Sequence, residues 1–350
     1  MRLSMKIQIQ NLGPIKQGEV DLSKNLTIFA GPNNTGKSHT AYLIYGLCQN
    51  GMKINDDAIL KIFASKKITP VIQICATDEP FLPNSVYFFP AERSAINMLA
   101  KEIFREKAAQ LDEISQQMLR EEDVETIVKS LKQKNLIPRY PLAIRDYLNF
   151  INDLEYISKN DSPFATFADE IETTLLHGKV FVSKYGDIKF IPQNSQQVLE
   201  LHLSSSLVKS LAGLVLYFRH LATKGDTIIM DEPELNLHPD NQVTIARIFA
   251  KVVNQGIKMI LSTHSDYIIK ELNNLIMLNK TSNEEITEFG YHDQNLILNK
   301  DKVAAYFFSE KTIEQIDVSE LGLSVKSIDT AINNLDNTME HIYYQLFEKE

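Results

Sequence analysis

The residues best suited to chemistry stand close together near the start of the chain, in the segment Gly31 to Ser38, which reads GPNNTGKS. Its spacing fits G-x-x-x-x-G-K-[ST], a pattern in which the backbone N–H groups of a glycine-rich loop surround phosphate. Lys37 adds a positive charge, and the hydroxyl of Ser38 can bind Mg²⁺. A plain glycine-rich turn would carry the same letters, so the flanking residues must decide between the two interpretations.

The flanking residues favour a phosphate site. Residues 26–30 are a short apolar run typical of a strand, and residues 38–48 have helical spacing. A strand, a loop and a helix N-terminus form an anion site, because the free N–H groups and the helix dipole face the same point. We therefore expect a nucleotide phosphate to be bound by the loop and the residue that follows it: Gly31, Pro32, Asn33, Asn34, Thr35, Gly36, Lys37, Ser38 and His39.

A second chemical cluster follows at residues 227–232, an apolar strand pattern that ends in Asp231 and Glu232. An uninterrupted apolar run is typical of a strand buried on both faces, and acids at its carboxyl end lie at the ligand edge of a sheet. We expect Asp231 to hold Mg²⁺ and Glu232 to act as general base toward an attacking water. The alternative is a pair of acids at a solvated strand end.

The next strand pattern, residues 258–265, ends in a polar segment that contains His264. A helix pattern with Pro239 in its first turn and Gly256 at its end separates the two strands, so they should be parallel neighbours. His264 is then expected beside the acids and Lys37, in contact with the γ-phosphate, rather than in a purely structural role.

A serine cluster precedes another apolar helix pattern, which we expect to end at Gly225. Serine hydroxyls and free N–H groups at a helix N-terminus can bind an anion. An ordinary helix cap is the alternative.

Length and composition limit the class of protein. The chain has 350 residues, a net charge of −9 and two cysteines. The charge disfavours a protein that coats nucleic acid non-specifically. The cysteine content fits a cytoplasmic location, and we see neither a signal peptide nor a membrane span. We predict an N-terminal lobe at 1–94, an inserted helical subdomain at 95–178 and a C-terminal lobe at 179–350.

Taken in order, these segments resemble the ABC-type ATPases, and more narrowly their RecF/OLD-like branch. Residues 31–38 look like Walker A, residues 228–232 like Walker B with the catalytic glutamate, and residues 233–239 like the D-loop. His264 looks like the switch histidine, and residues 7–14 resemble the opening strand and turn of the branch. The resemblance implies an α/β fold, an ABC-type P-loop NTPase head whose mixed sheet is flanked by helices.

Two segments depart from the transporter pattern. In place of the L-S-G-G-Q signature the chain has SSSLVK at residues 204–209, which is similar to the S-S-x-x-K variant of OLD-like and PtuA-like defence ATPases. No glutamine marks the Q-loop, where residues 90–94 read PAERS. We expect Glu92 or Arg93 to couple the nucleotide state to the helical insert.

The resemblance implies ATP hydrolysis in a head-to-tail homodimer that holds two ATP molecules. Ser205, Ser206 and Lys209 of one subunit would face the γ-phosphate held by Lys37 and Ser38 of the other. We expect a sensor or scaffold subunit of a bacterial anti-phage system that works with a separate nuclease effector. A RecF-like DNA repair ATPase, with nucleic acid as a partner, is the alternative. A transporter subunit fits less well, and no membrane partner is expected.

Overall fold

The computed structural model describes residues 5–76, 83–104, 139–323 and 337–339. Short apolar runs form strands throughout these ranges, and most of them join one sheet. The strands are β1 (Met5–Leu12), β2 (Ile15–Asp21), β3 (Leu26–Ala30), β4 (Val71–Ala76), β5 (Val86–Phe89), β6 (Gly178–Val182), β7 (Ile188–Pro192), β8 (Leu199–Glu200), β9 (Thr227–Asp231), β10 (Lys258–Thr263), β11 (Val303–Phe308), β12 (Thr312–Ile316), β13 (Val318–Ser319) and β14 (Gly322–Leu323).

Helices with an apolar side alternate with these strands. They are α1 (Lys37–Gln49), α2 (Asp56–Phe63), α3 (93–104), α4 (Leu142–Asn152), α5 (Leu154–Ile157), α6 (Ala165–Ile171), α7 (Ser206–His220), α8 (Pro239–Asn254), α9 (Asp266–Met277) and α10 (Asn283–Glu288). A π-helical turn (Glu172–Leu176) continues α6.

Within the described residues, the central sheet has nine strands in the order β4-β1-β2-β12-β11-β3-β10-β9-β5. Strands β11, β3, β10, β9 and β5 are parallel neighbours, whereas β4, β1 and β2 pair antiparallel. The sheet is therefore mixed, and its parallel part carries the segments that the sequence marks as chemical.

Side chains of the central strands alternate between two hydrophobic cores. Ile228 and Met230 of β9 pack in one core, whereas Ile229 packs in the other. Helices α7, α8 and α9 contribute to the first core and α1 to the second. Both faces of these strands are covered, which explains why their middle positions form apolar runs.

The strands expected at 179–182 and 188–191 form, but they lie outside the central sheet. β6, β7 and β8 make a separate antiparallel sheet of three strands. Of the expected helical insert, 95–178, the residues 105–138 lie outside the described residues. The described parts of that range are mostly helical, from α3 to the π-turn. The described residues contain no helix with the length and apolarity to cross a membrane.

One predicted helix end was wrong. We expected Gly225 to end the helix that follows the serine cluster, but α7 ends at His220. Gly225 has φ +91° and lies in the turn before β9. The carboxylate of Asp226 closes that turn, since it accepts hydrogen bonds from the Thr223 N–H at 2.9 Å and the Tyr217 hydroxyl at 3.0 Å.

Candidate functional site

The loop after β3 closes tightly before α1 begins. Gly31 and Gly36 have φ values of +135° and +100°, which are unfavourable for residues with a side chain. A Cβ atom on Gly31 would lie 2.3 Å from the carbonyl oxygen of Phe308, and one on Gly36 would lie 2.6 Å from the side chain of Ile15. The two glycines are thus required by backbone conformation and by the close approach of neighbouring strands.

Lys37 lies inside this loop, with only 5% of its surface exposed. Its ammonium group donates hydrogen bonds to the carbonyl oxygens of Gly31 at 2.9 Å and Pro32 at 2.7 Å. The loop is therefore wrapped around the positive charge that the sequence assigned to phosphate binding.

The acids stand at the carboxyl end of β9, as predicted. Ser262 of β10 is the register partner of Asp231, and its hydroxyl donates a hydrogen bond to the Asp231 carboxylate. Glu232 leaves the strand with φ +49°, and its N–H donates to the carbonyl of Ser262 at 2.9 Å. Asp231 consequently stays buried in the sheet, whereas Glu232 turns out of it.

His264 follows β10 and lies near the second acid. Its Nε2 atom is 3.7 Å from Oε1 of Glu232. The backbone around it is held by Glu234, whose carboxylate accepts hydrogen bonds from the His264 N–H at 2.6 Å and the Thr263 hydroxyl at 2.9 Å. Our sequence analysis placed Glu234 in the D-loop without a separate role, because no spacing pattern connects it to a strand 30 residues away.

These side chains share one cavity of about 570 Å³. It is lined by Pro14, Asn33, Asn34, Thr35, Gly36, Lys37, Ser38, His39, Glu232 and His264. Most of the expected phosphate-binding residues, the expected base and the expected γ-phosphate contact are therefore together in one chain. Pro14 brings the turn between β1 and β2 to the same cavity.

The serine cluster lies elsewhere, because Ser205, Ser206 and Lys209 do not line the cavity. Ser205 caps α7 by accepting a hydrogen bond from the Val208 N–H at 3.3 Å, and Ser206 is exposed. Within a single chain this is the ordinary helix cap that was the alternative interpretation.

A family model for the AAA ATPase domain matches residues 1–79 and 64–269, which is more than half of the chain. The chain belongs to this AAA ATPase domain family. No curated protein matches it in sequence.

Several solved structures are similar to this AAA ATPase domain over most of its length. The Smc head domain of Pyrococcus furiosus, solved with the C-terminal domain of ScpA, is 13% identical and covers 96% of this chain and 100% of its own, with a TM-score of 0.42. The SMC head domain of Thermotoga maritima is 11% identical and covers 91% of this chain and 100% of its own, with a TM-score of 0.39. MJ1267, an ATP-binding cassette of an ABC transporter in its ADP conformation, is 12% identical. It covers 97% of this chain and 98% of its own, with a TM-score of 0.35.

The predicted fold class, an α/β P-loop NTPase head with a mixed sheet flanked by helices, is confirmed by the sheet itself and by the family match. The mixed sheet has the P-loop at the carboxyl end of β3 and the two acids at the carboxyl end of β9.

The electrostatics of this ATPase site follow from burial. Burial lowers the pKa of Lys37 to about 8, although Asp231, Glu232 and Glu234 oppose the change. Burial also raises the pKa of Glu232, and the Asp231 and Glu234 carboxylates raise it further. The pKa of His264 is lowered, first by burial and then by Lys37, so its imidazole is neutral at pH 7.

The donor set of the ATPase site suits a magnesium ion that is shared with phosphate. Ser38 lines the cavity. Asp231 ends β9, which is separated in the sheet from β3, the strand before the P-loop, by β10. Mg²⁺ is usually held by one or two carboxylates together with substrate phosphates and waters. Asp231, Glu232 and Glu234 also bring three acids to a site with two cations, Lys37 and Arg93.

Arg93 has a more specific place in the structure than the coupling role that the sequence predicted for Glu92 or Arg93. Of the two candidates in the PAERS segment, Glu92 is exposed, whereas Arg93 is completely buried beneath the acids. Its guanidinium donates to the carbonyls of Asp231 and Glu232, both at 2.9 Å. An arginine in a segment with mixed polar residues gives no sequence signal for such burial.

Proposed function

We propose that this protein binds ATP with Mg²⁺ in the P-loop cavity and hydrolyses it to ADP and phosphate. The observation that carries the proposal is the convergence of Lys37, Glu232 and His264 on one cavity from three separate segments of the chain. Loop N–H groups and Lys37 bind the phosphates. Glu232 accepts a proton from the attacking water, and His264 contacts the γ-phosphate.

The environment of Glu232 favours this role. A carboxylate with a raised pKa is a better base near neutral pH than an exposed one. Ser38 and Asp231 would hold Mg²⁺, which neutralises charge on the transferred phosphoryl group when it is bound. The chain's own contribution is to position the water and the phosphate and to keep them apart from bulk solvent.

The test is turnover by Glu232→Gln, with Glu288→Gln as the control for loss of an exposed carboxylate that does not line the cavity. We expect Glu232→Gln to bind ATP normally and to hydrolyse it at least about 100-fold more slowly, because proton acceptance is lost. Phosphate release and binding of a fluorescent ATP analogue are measured on the same samples. Turnover by Glu232→Gln at the wild-type rate would contradict the proposal.

We also propose that two copies bind head to tail around two ATP molecules, with Ser205, Ser206 and Lys209 of one copy at the γ-phosphate of the other. In support, Ser205 and Ser206 are exposed, and beside them Leu203 has 65% of its surface exposed. Glu232→Gln with ATP should then double the mass seen by light scattering. Adding Ser206→Arg should restore the monomer while ATP still binds. A monomer in the first sample would count against the dimer.

The finer role we propose is that of a sensor or scaffold ATPase in bacterial anti-phage defence, working with a separate nuclease chain. The resemblance of residues 204–209 to the S-S-x-x-K variant supports it. Gentle affinity capture from native cells, followed by identification of bound chains, tests it. Recovery of a nuclease is the expected result. Recovery of a membrane permease, or salt-sensitive binding to duplex DNA without a nuclease, would overturn it.

A further inference from the structure

Arg93 is the largest fully buried side chain among the described residues, with none of its surface exposed. Its hydrogen-bond partners are backbone carbonyl oxygens. Nη1 donates to Pro90 at 3.1 Å and to Asp231 at 2.9 Å, and Nη2 donates to Glu232 at 2.9 Å and to Pro233 at 3.4 Å. Its Nε atom is buried and has no hydrogen-bond partner among the described residues. A buried charge held this way needs a reason, because burial is costly for an arginine without a carboxylate partner.

Three of these four carbonyls belong to consecutive residues, Asp231, Glu232 and Pro233. They form the turn in which Glu232 takes a φ of +49°, a left-handed conformation that is unfavourable for a residue with a side chain. Ser262 binds this turn from one side by accepting the Glu232 N–H at 2.9 Å. Arg93 binds it from the other side through the carbonyls, so the backbone of Glu232 is held at both its polar groups.

We propose that Arg93 is a positioning residue for Glu232: its guanidinium holds the turn that directs the Glu232 carboxylate into the cavity. This inference rests on the proposed ATPase function. It assigns Arg93 a role in catalysis although Arg93 does not line the cavity. Arg93 therefore acts through Glu232 and not through contact with ATP.

The first turn of α3 extends the same support to two other segments. Ser94 accepts a hydrogen bond from the Asn236 side chain at 3.2 Å, and the Asn97 side chain donates to the Lys209 carbonyl at 2.8 Å. The turn that carries the base, the loop after it and the start of α7 are thus all bonded to residues 93–97. A shift of α3 would move Glu232 together with them.

The experiment compares Arg93→Lys, which keeps the charge, with Arg93→Gln, which does not. Arg145→Lys is the matched control, because 43% of that side chain is exposed and its ion pair, within the part of the chain that the structure describes, is with its neighbour Asp146 at 3.6 Å. Every variant is assayed below its thermal midpoint. Turnover is expressed per ATP site titrated with a fluorescent analogue, so that a partly unfolded sample does not imitate a catalytic loss.

We expect both Arg93 variants to lower kcat on the order of 100-fold with KM close to wild type, because the base is misplaced while the P-loop is intact. In a Glu232→Gln background, single-turnover rates should fall little further when Arg93 is changed, because two residues that act as one unit are not additive.

Wild-type kcat in both Arg93 variants would overturn the inference. So would a full additional loss in the Glu232→Gln background, or a change confined to KM. The proposed function fails separately, if Glu232→Gln alone turns over ATP like the wild type.

Discussion

Burial of the Lys37 charge in the P-loop lowers the stability of the folded protein. Comparison of the wild type with Lys37→Met should show this as a pH-dependent difference in the free energy of unfolding. Burial lowers the pKa of the lysine from 10.5 to about 8. At about 1.4 kcal/mol for each tenfold change in proton affinity, the charged form is disfavoured in the folded protein by roughly 3 kcal/mol. One side of Lys37 faces the cavity, where water screens the charge, so we expect about 1–3 kcal/mol.

The sign follows from proton linkage. The folded state releases this proton at a lower pH than the unfolded state, whose lysine has a pKa near 10.5. Above pH 10.5 the lysine is neutral in both states and costs no stability. As the pH falls from 10.5 to about 8, the unfolded state gains the proton first, and this stability is lost. The free energy of unfolding of the wild type, minus that of Lys37→Met, should rise by about 1–3 kcal/mol between roughly pH 7 and pH 10.5.

Urea denaturation of both proteins across this range is the assay, and subtraction removes the contribution of tyrosines and cysteines. Lys66→Met, which removes an exposed lysine, is the matched control. Binding of a non-hydrolysable ATP analogue to the wild type should also weaken above about pH 8, because a neutral amine attracts phosphate less. A difference in stability that stays constant, or falls, as the pH rises would refute the reasoning.

Three further outcomes are expected. His264→Ala should lower kcat on the order of 100-fold with a small change in ATP affinity, measured by phosphate release; wild-type kinetics would make the histidine structural. Glu234→Gln should lower the free energy of unfolding by about 1–3 kcal/mol and reduce kcat, because the glutamine amide cannot accept hydrogen bonds from both Thr263 and His264 as the carboxylate does. A stability in urea and a turnover rate equal to those of the wild type would contradict this. Gly31→Ala should cost at least about 2 kcal/mol by clash with the Phe308 carbonyl, more than Gly51→Ala, where φ is also positive at +61° but a Cβ would meet no atom of the described residues within 4 Å.

The sequence alone was sufficient to predict the P-loop and its conformation, because contiguous residues build it. The conformations of residues 31–38 depend on two glycines and on the strand and helix beside them, all visible as letters. The meeting of Glu232, His264 and Lys37 was also predictable, since carboxyl ends of parallel strands share one edge of a sheet. The strands at 179–182 and 188–191 were predicted as strands, but their pattern did not tell which sheet they join.

Only the tertiary structure decided what holds the turn at Glu232 in place. Arg93 donates hydrogen bonds to carbonyl oxygens 138 to 140 positions away in the chain. Because every residue type has the same backbone carbonyl, no sequence pattern predicts these contacts. Glu234 likewise accepts hydrogen bonds from the segment before α9, 29 and 30 positions further along the chain. The helix end misplaced at Gly225 also depends on the partners of a buried polar group, because the carboxylate of Asp226 accepts hydrogen bonds from the Thr223 N–H and from the hydroxyl of Tyr217 in α7. Local backbone conformation is encoded by neighbours in sequence, whereas the choice of partners for buried polar groups is made by packing.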